Sequence, residues 1–223
     1  MARPKHGYRA EDGEPVPGTT TIIGRFKDSG ALMHWAAEQG RLMERGVISS
    51  LYERRDAAAD AGTLAHDLVE RYITGLTPET VLEGVPPEVS DRAQTAYLAY
   101  LEWHRQSRIE VIATETVLVS ERYRYGGTLD AVFRMPNGEV HLGDWKTSNG
   151  VYEDYLVQLA AYQQLWNECY PLTPVTGAHL LRFSKETGDF SHHYFADLSD
   201  ARELFLLYRK AYDLSRALKR RVG

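Results

Sequence analysis

The stretch "GGTLDAVFRMPNGEVHLGDWKTS", residues 126–148, sets an apolar segment on either side of a Pro-Asn-Gly turn, with Asp130 in the first, Asp144 in the second and Lys146 two residues further on. Apolar segments bounded by turn residues in this way read as two paired strands. The length of the turn decides where the acids point, because a shift of one residue moves every side chain of a strand to the opposite face. A two-residue loop, Asn137-Gly138, would set Asp130 opposite Trp145. A three-residue loop, Pro136 to Gly138, would set Asp130 opposite Asp144 and Thr128 opposite Lys146. Proline suits the first position of a type I turn and glycine the left-handed last one. The three-residue loop is therefore expected, with Asp130, Asp144 and Lys146 on one face.

Working outward, "IEVIATETVLVSE" is β-branched and alternating, which completes an antiparallel meander over 109–121, 124–135 and 139–147. Between Ser29 and about Gly75, apolar residues recur at three and four. Two helices are expected there, with Leu64, Leu68 and Tyr72 as one buried stripe. "VSDRAQTAYLAYLEWHRQS" predicts a further helix capped by Ser90 or Asp91. Downstream, "VYEDYLVQLAAYQQLWNECY" returns to helical spacing. "VTGAHLLRFS" and "DFSHHYFAD" form a hairpin across "KETG", and a closing helix begins at a Ser199 cap. Residues 1–18, rich in Gly, Pro and charge, read as an irregular arm before "TTTIIGRF". The expectation is an α/β chain of α+β-like character, a central mixed β-sheet with a three-stranded antiparallel meander flanked by helices. It forms a single domain over 19–223: a helical part over 29–108, a core over 109–198 and a C-terminal helix over 199–221.

With 223 residues, 43% hydrophobic and 26% charged, the chain can build one substantial core. No apolar stretch approaches membrane-spanning length and the N-terminus lacks an apolar leader, so a cytoplasmic protein with no membrane partner is expected. Cys169 is the single cysteine. That excludes an internal disulfide and a four-cysteine zinc or iron–sulfur site, so any metal must sit on oxygen and nitrogen ligands. The net charge of -5 argues against a wholly basic nucleic-acid coat, while Arg122 with Arg124 and the tail "LKRRVG" make local basic patches.

Two carboxylates opposed across a ladder repel, and burial would raise the pKa of at least one of them unless a cation were present. A divalent cation resolves the conflict, and oxygen ligands favour a hard ion such as Mg2+ or Mn2+. Lys146 stands close enough to stabilise an oxyanion or orient a water. A D-x-K triplet alone reads more readily as a surface ion pair. Two further pairs accompany it. "GTLAH" sets His66 four residues after Gly62, at the edge of a filled helical stripe beside Glu70. "QLAAY" sets Gln158 and Tyr162 on one helix face directly after the Lys146 strand.

In this order the pieces resemble the RecB-like branch of the PD-(D/E)XK nuclease superfamily. Its pattern runs G-x-x-x-H, an acidic strand, G-x-x-D, D-x-K and Q-x-x-x-Y. Here these stand as Gly62 and His66, Glu115 in "TETVLVSE", Gly127 and Asp130, Asp144 and Lys146, and Gln158 and Tyr162. The early "PGTTTIIGRF…ALMHWAAEQG" is similar to the start of phage-type and mitochondrial exonucleases of that branch, so the resemblance covers roughly 16–170. It implies a restriction-endonuclease-like core and a metal-dependent DNA exonuclease leaving 5′-phosphate and 3′-hydroxyl ends. Recombination, repair or phage DNA metabolism would be its setting, with a recombination or replication protein as a possible partner. A structure-specific endonuclease or a non-catalytic DNA-binding subunit are the alternatives. His66, Asp130, Asp144 and the Trp145 carbonyl would hold the metal, Lys146 would position the attacking water, and Glu115 would orient Lys146, assist a second ion or do neither. Gln158 and Tyr162 would hold the site or touch the DNA backbone, with Arg122, Tyr123, Arg124, Tyr125, Lys5, Arg9 and Trp35 as candidate strand contacts. Oligomeric state is left open.

Overall fold

The computed structural model describes residues 4, 7–27, 30–47, 53–77, 81–184 and 189–222. The described chain opens with a short hairpin, β1 (Tyr8–Arg9) and β2 (Pro15–Val16). Four helices follow: α1 (Thr19–Phe26), α2 (Gly30–Glu44), α3 (Glu53–Thr74) and α4 (Pro87–Ser107). Then come the meander, β3 (Glu110–Ser120), β4 (Tyr125–Arg134) and β5 (Val140–Thr147), helix α5 (Glu153–Cys169), the strands β6 (Val175–Phe183) and β7 (Phe190–Phe195), and α6 (Ser199–Val222).

The turn after β4 has three residues. Gly138 N–H donates to the Met135 carbonyl and Met135 N–H to the Glu139 carbonyl, both at 2.8 Å, and Gly138 takes the left-handed φ of 87° that the loop requires. The resulting register pairs Arg134 with Val140 and Ala131 with Gly143, so Asp130 and Asp144 are the next opposed positions. There the ladder stops. The expected pairing of Thr128 with Lys146 does not form: Thr128 pairs only with Val117 on β3, and Lys146 lies beside Arg182 on β6. The cause is a fork, because β5 runs parallel to β6 as far as Thr147 while β4 stays with β3 as far as Tyr125.

The sheet order is β3-β4-β5-β6-β7, with β5 and β6 parallel and the other neighbours antiparallel. This is the mixed sheet flanked by helices that the sequence predicted. One face carries α1, α5 and α6 over a core that includes Ile22, Leu129, Leu142, Leu159, Leu165 and Phe205. The other carries α3 and α4 over Leu68, Tyr100, Phe133, Trp145 and Phe183. Each large side chain fully buried here is worth about 1.5–3 kcal/mol. On the α4 face, three histidines of adjacent strands are joined edge to edge. His141 Nδ1 lies 2.9 Å from His179 Nε2, and His179 Nδ1 lies 2.7 Å from His192 Nε2. Burial lowers the pKa of all three, that of His179 to about 3, so the row is neutral at neutral pH.

Several expectations are corrected. The described part of the arm is not wholly irregular: β1 and β2 pair through Tyr8 and Val16, and Tyr8 is buried with its hydroxyl 3.0 Å from that of Thr128. Strands of two residues leave no periodicity to read. "TTTIIGRF" is α1, with Ile22 and Ile23 buried in spite of its β-branched run. α4 begins at Pro87, earlier than either expected cap, because proline fits the first helical turn. Tyr72 is 41% exposed rather than part of a buried stripe, and packs edge-on against Tyr97, Tyr100 and His104. Ser199 is the first residue of α6, and its N–H is taken by Asp197 Oδ1 at 2.8 Å. The "KETG" link between β6 and β7 lies outside the described residues. Among the described residues no helix is long and apolar enough to cross a membrane.

Candidate active site

The fork between β4 and β5 is where the acids gather. On β3, Thr114 pairs with Ala131 and Thr116 with Leu129, which sets Glu115 opposite Asp130 just as Asp130 stands opposite Asp144. Three adjacent strands thus present three acids in one row. Glu115 has φ 44°, a left-handed conformation that costs a non-glycine residue on the order of 1 kcal/mol and marks functional sites more often than chance. With His66, Glu70, Thr114, Asp130 and Trp145 it lines a small cavity between α3 and the sheet.

His66 arrives because α3 lies unusually close to β5. Gly62 rests against the Thr147 side chain with no room for a Cβ, and Ala65 beside it is fully buried. One turn on, His66 is partly buried, and desolvation lowers its pKa. It is neutral at neutral pH, the state in which imidazole ligates a metal.

Asp130 is 4% exposed and Asp144 1%. At the fork the Trp145 N–H has lost its strand partner, and Asp130 Oδ2 accepts it at 2.9 Å. Asp130 Oδ1 is buried without a hydrogen bond. Burial raises the Asp130 pKa to about 6, an effect that the charge of Lys146 partly offsets. Asp144 Oδ1 accepts from Gln158 Nε2 at 3.3 Å. Its Oδ2 makes no hydrogen bond of good geometry, and its contact is the Lys146 ammonium at 2.5 Å. Burial raises the Asp144 pKa to about 7, with Lys146 opposing and Asp130 adding to the rise. For Lys146, burial favours the neutral amine, but the two carboxylates outweigh it, so its pKa is raised and the ammonium persists.

Gln158 and Tyr162 support this pair from α5. Gln158 Nε2 also reaches Tyr162 Oη at 3.0 Å, and both side chains are buried. Gly127 makes room for the Tyr162 ring, which would lie 2.6 Å from a Cβ there. Tyr155, three residues before Gln158 on the same helix, has its ring 5.5 Å from Lys146 Nζ. The helical spacing from Gln158 was the one signal that could have found it. The Trp145 amide that anchors Asp130 is main chain, and no residue type announces it.

The structure brings together His66, Glu115, Asp130, Asp144, Lys146, Gln158 and Tyr162. Arg122 and Arg124 stand apart, in the turn at the far end of β4 and roughly 20 Å along the strand from Asp130. Arg124 is engaged by the Asp12 carboxylate at 2.9 and 3.0 Å and by Glu121. Exposed Arg122 lies over the Tyr123 ring. Arg9, exposed, donates to the Gly13 carbonyl, and Tyr125 is fully buried and so is not presented to a strand. Lys5 and the side chain of Trp35 lie outside the described residues.

Among the described residues, no three His, Cys, Asp or Glu side chains stand close enough together to hold an ion by themselves. The chemistry of the donors nevertheless fits a hard divalent cation. Two carboxylates have their ionisation suppressed by burial, one of them with an orphaned oxygen, and a neutral imidazole stands nearby. Water and a main-chain oxygen would complete the shell.

The model of the PD-(D/E)XK nuclease superfamily matches residues 8–219. Among solved structures the chain is similar to a "Putative exonuclease" of Eubacterium rectale, with 13% identity and a TM-score of 0.50. That match covers 71% of this chain and 66% of the other, so this chain spans just under two thirds of that protein's length. At such identity the likeness is one of fold. It is also similar to an alkaline exonuclease of Laribacter hongkongensis, with 10% identity, a TM-score of 0.33 and coverage of 75% of this chain and 93% of that one. No curated protein sequence matches the chain significantly. The family match runs from β1 into α6 and takes in all three acidic strands, and the chain belongs to the PD-(D/E)XK nuclease superfamily.

Proposed function

We propose that the chain is a metal-dependent deoxyribonuclease of the RecB-like branch, an exonuclease that hydrolyses DNA to 5′-phosphate and 3′-hydroxyl ends with Mg2+ or Mn2+. Its setting would be recombination, repair or phage DNA metabolism in the cytoplasm. The observation that carries this reading is the row Glu115, Asp130 and Asp144 across three strands, with Lys146 paired to Asp144. His66, Asp130, Asp144 and the Trp145 carbonyl are the residues that would hold the ion. A divalent cation bound there lowers the pKa of water and neutralises phosphate oxygens.

The remaining work falls to the chain itself. Lys146 keeps its proton and, with its side chain only 11% exposed, meets a phosphate oxygen or an attacking water in a medium where its charge acts strongly. Asp144 orients that ammonium, and Gln158 fixes the Asp144 carboxylate in turn. Glu115, facing Asp130 across the ladder, adds a third acid on the cavity side, and acids gathered without a cation disfavour entry of a polyanion before the cation is in place.

The test is digestion of 5′- and 3′-labelled DNA, single- and double-stranded, linear and circular, with Mg2+, Mn2+ or chelator. Metal-dependent loss of linear but not circular DNA is expected, reduced at least ~100-fold by Lys146→Ala. Cutting of circles would make the chain an endonuclease of the same fold. Binding without cleavage under either metal would make it a non-catalytic DNA-binding subunit.

A further inference from the structure

α6 is 24 residues long, and its N-terminal half packs on the protein through Phe205 and Arg209, both buried. Its opposite side carries an apolar seam. Leu207, Leu214 and Leu218 are 57%, 57% and 60% exposed, and with half-buried Ala211 they fall within an arc of about 60° on the helix. Leucines so exposed at helical spacing on a charged helix are a patch that needs a partner.

The spacing along the seam is four, three, four. Such a sequence reads the same from either end, so when one copy is laid against another in reverse, Leu207 meets Leu218 and Ala211 meets Leu214, and each contact occurs twice about the two-fold axis. Charge follows the same symmetry. Asp200 and Glu203 precede the seam on its own side of the helix, and Arg221 follows it, all three exposed. Reversal sets Glu203 of one copy beside Arg221 of the other at both ends. Parallel pairing would instead stack like charges, Arg221 on Arg221.

We propose that this face of α6 is the interface of an antiparallel homodimer, with a second copy of the chain as its occupant. An isologous contact of this kind closes on itself and forms no filament. One two-helix seam of about three turns is small beside the roughly 1,200 Å² that stable interfaces bury, so the dimer dissociates on dilution.

Sedimentation equilibrium of the full chain over a dilution series tests this. A monomer–dimer equilibrium is expected. Leu214→Asp with Leu218→Asp should raise the dissociation constant more than ~100-fold, while circular dichroism stays that of the parent because both sites face solvent. Glu203→Arg and Arg221→Glu should each weaken the dimer, and the two together should restore it, because the swap rebuilds both ion pairs with reversed sign. The proposal is overturned by a monomer at every concentration, by a dimer indifferent to the two aspartates, or by a double charge swap no tighter than either single change. None of these readouts depends on nuclease activity.

Discussion

Asp130 carries two duties on one carboxyl group: Oδ2 closes the fork through the Trp145 amide, and Oδ1 is left buried and unpaired. Its pKa of about 6 lies above the ordinary value of 3.8. Between those values the folded protein holds a proton that the unfolded chain has released, so stability falls as pH rises through that window. Asp130→Asn removes the ionisation yet keeps an acceptor for Trp145. In chelator at pH 8 the variant should be more stable to urea than the parent by on the order of 2 kcal/mol, with the difference gone below about pH 4. Added Mg2+ should stabilise the parent and leave the variant unmoved. Because Asp144 titrates at about 7, calorimetric Mg2+ affinity should weaken as pH falls from about 7 to 6, with protons released on binding. Glu115 gives a test with opposite signs. Glu115→Gly relieves the left-handed backbone and should gain about 1 kcal/mol in stability while losing cleavage, whereas Glu115→Val should lose both.

At the scale of elements, the meander shows what a sequence can and cannot say. The Pro-Asn-Gly turn fixed its own length by local chemistry, and with it the opposition of Asp130 and Asp144. The fork was not legible, because it arises from β6, whose claim on β5 depends on residues more than thirty positions away. Gly62 is similar: it stood out by its distance from His66, but the reason for a glycine is Thr147, on a strand far along the chain. Gly62→Ala should lift α3 from β5, cost about 1–3 kcal/mol in urea unfolding and reduce cleavage by displacing His66. Arg122 and Arg124 looked like a basic pair for DNA, since spacing alone could not reveal that Asp12 of the N-terminal hairpin already holds one of them.

For the molecule as a whole, Arg209 bolts α6 to the turn between β3 and β4. Its guanidinium donates to the carbonyls of Tyr123 and Arg124 at 2.9 to 3.1 Å and meets Asp213 at 2.5 Å. Arg209→Met should cost about 3 kcal/mol by urea unfolding, because it strands two carbonyls under the helix. The histidine row across β5, β6 and β7 has a consequence of another kind. Each inner nitrogen either gives or receives a proton, so the three rings must all be oriented the same way. Glu139 Oε2 lies 3.5 Å from His141 Nε2 and favours a hydrogen on that nitrogen. The row then runs from His192 Nε2–H through His179 Nε2–H to His141 Nε2–H, a single tautomer for all three imidazoles. Nitrogen-15 shifts should show three Nε2–H rings, and Glu139→Lys should invert them together rather than one at a time.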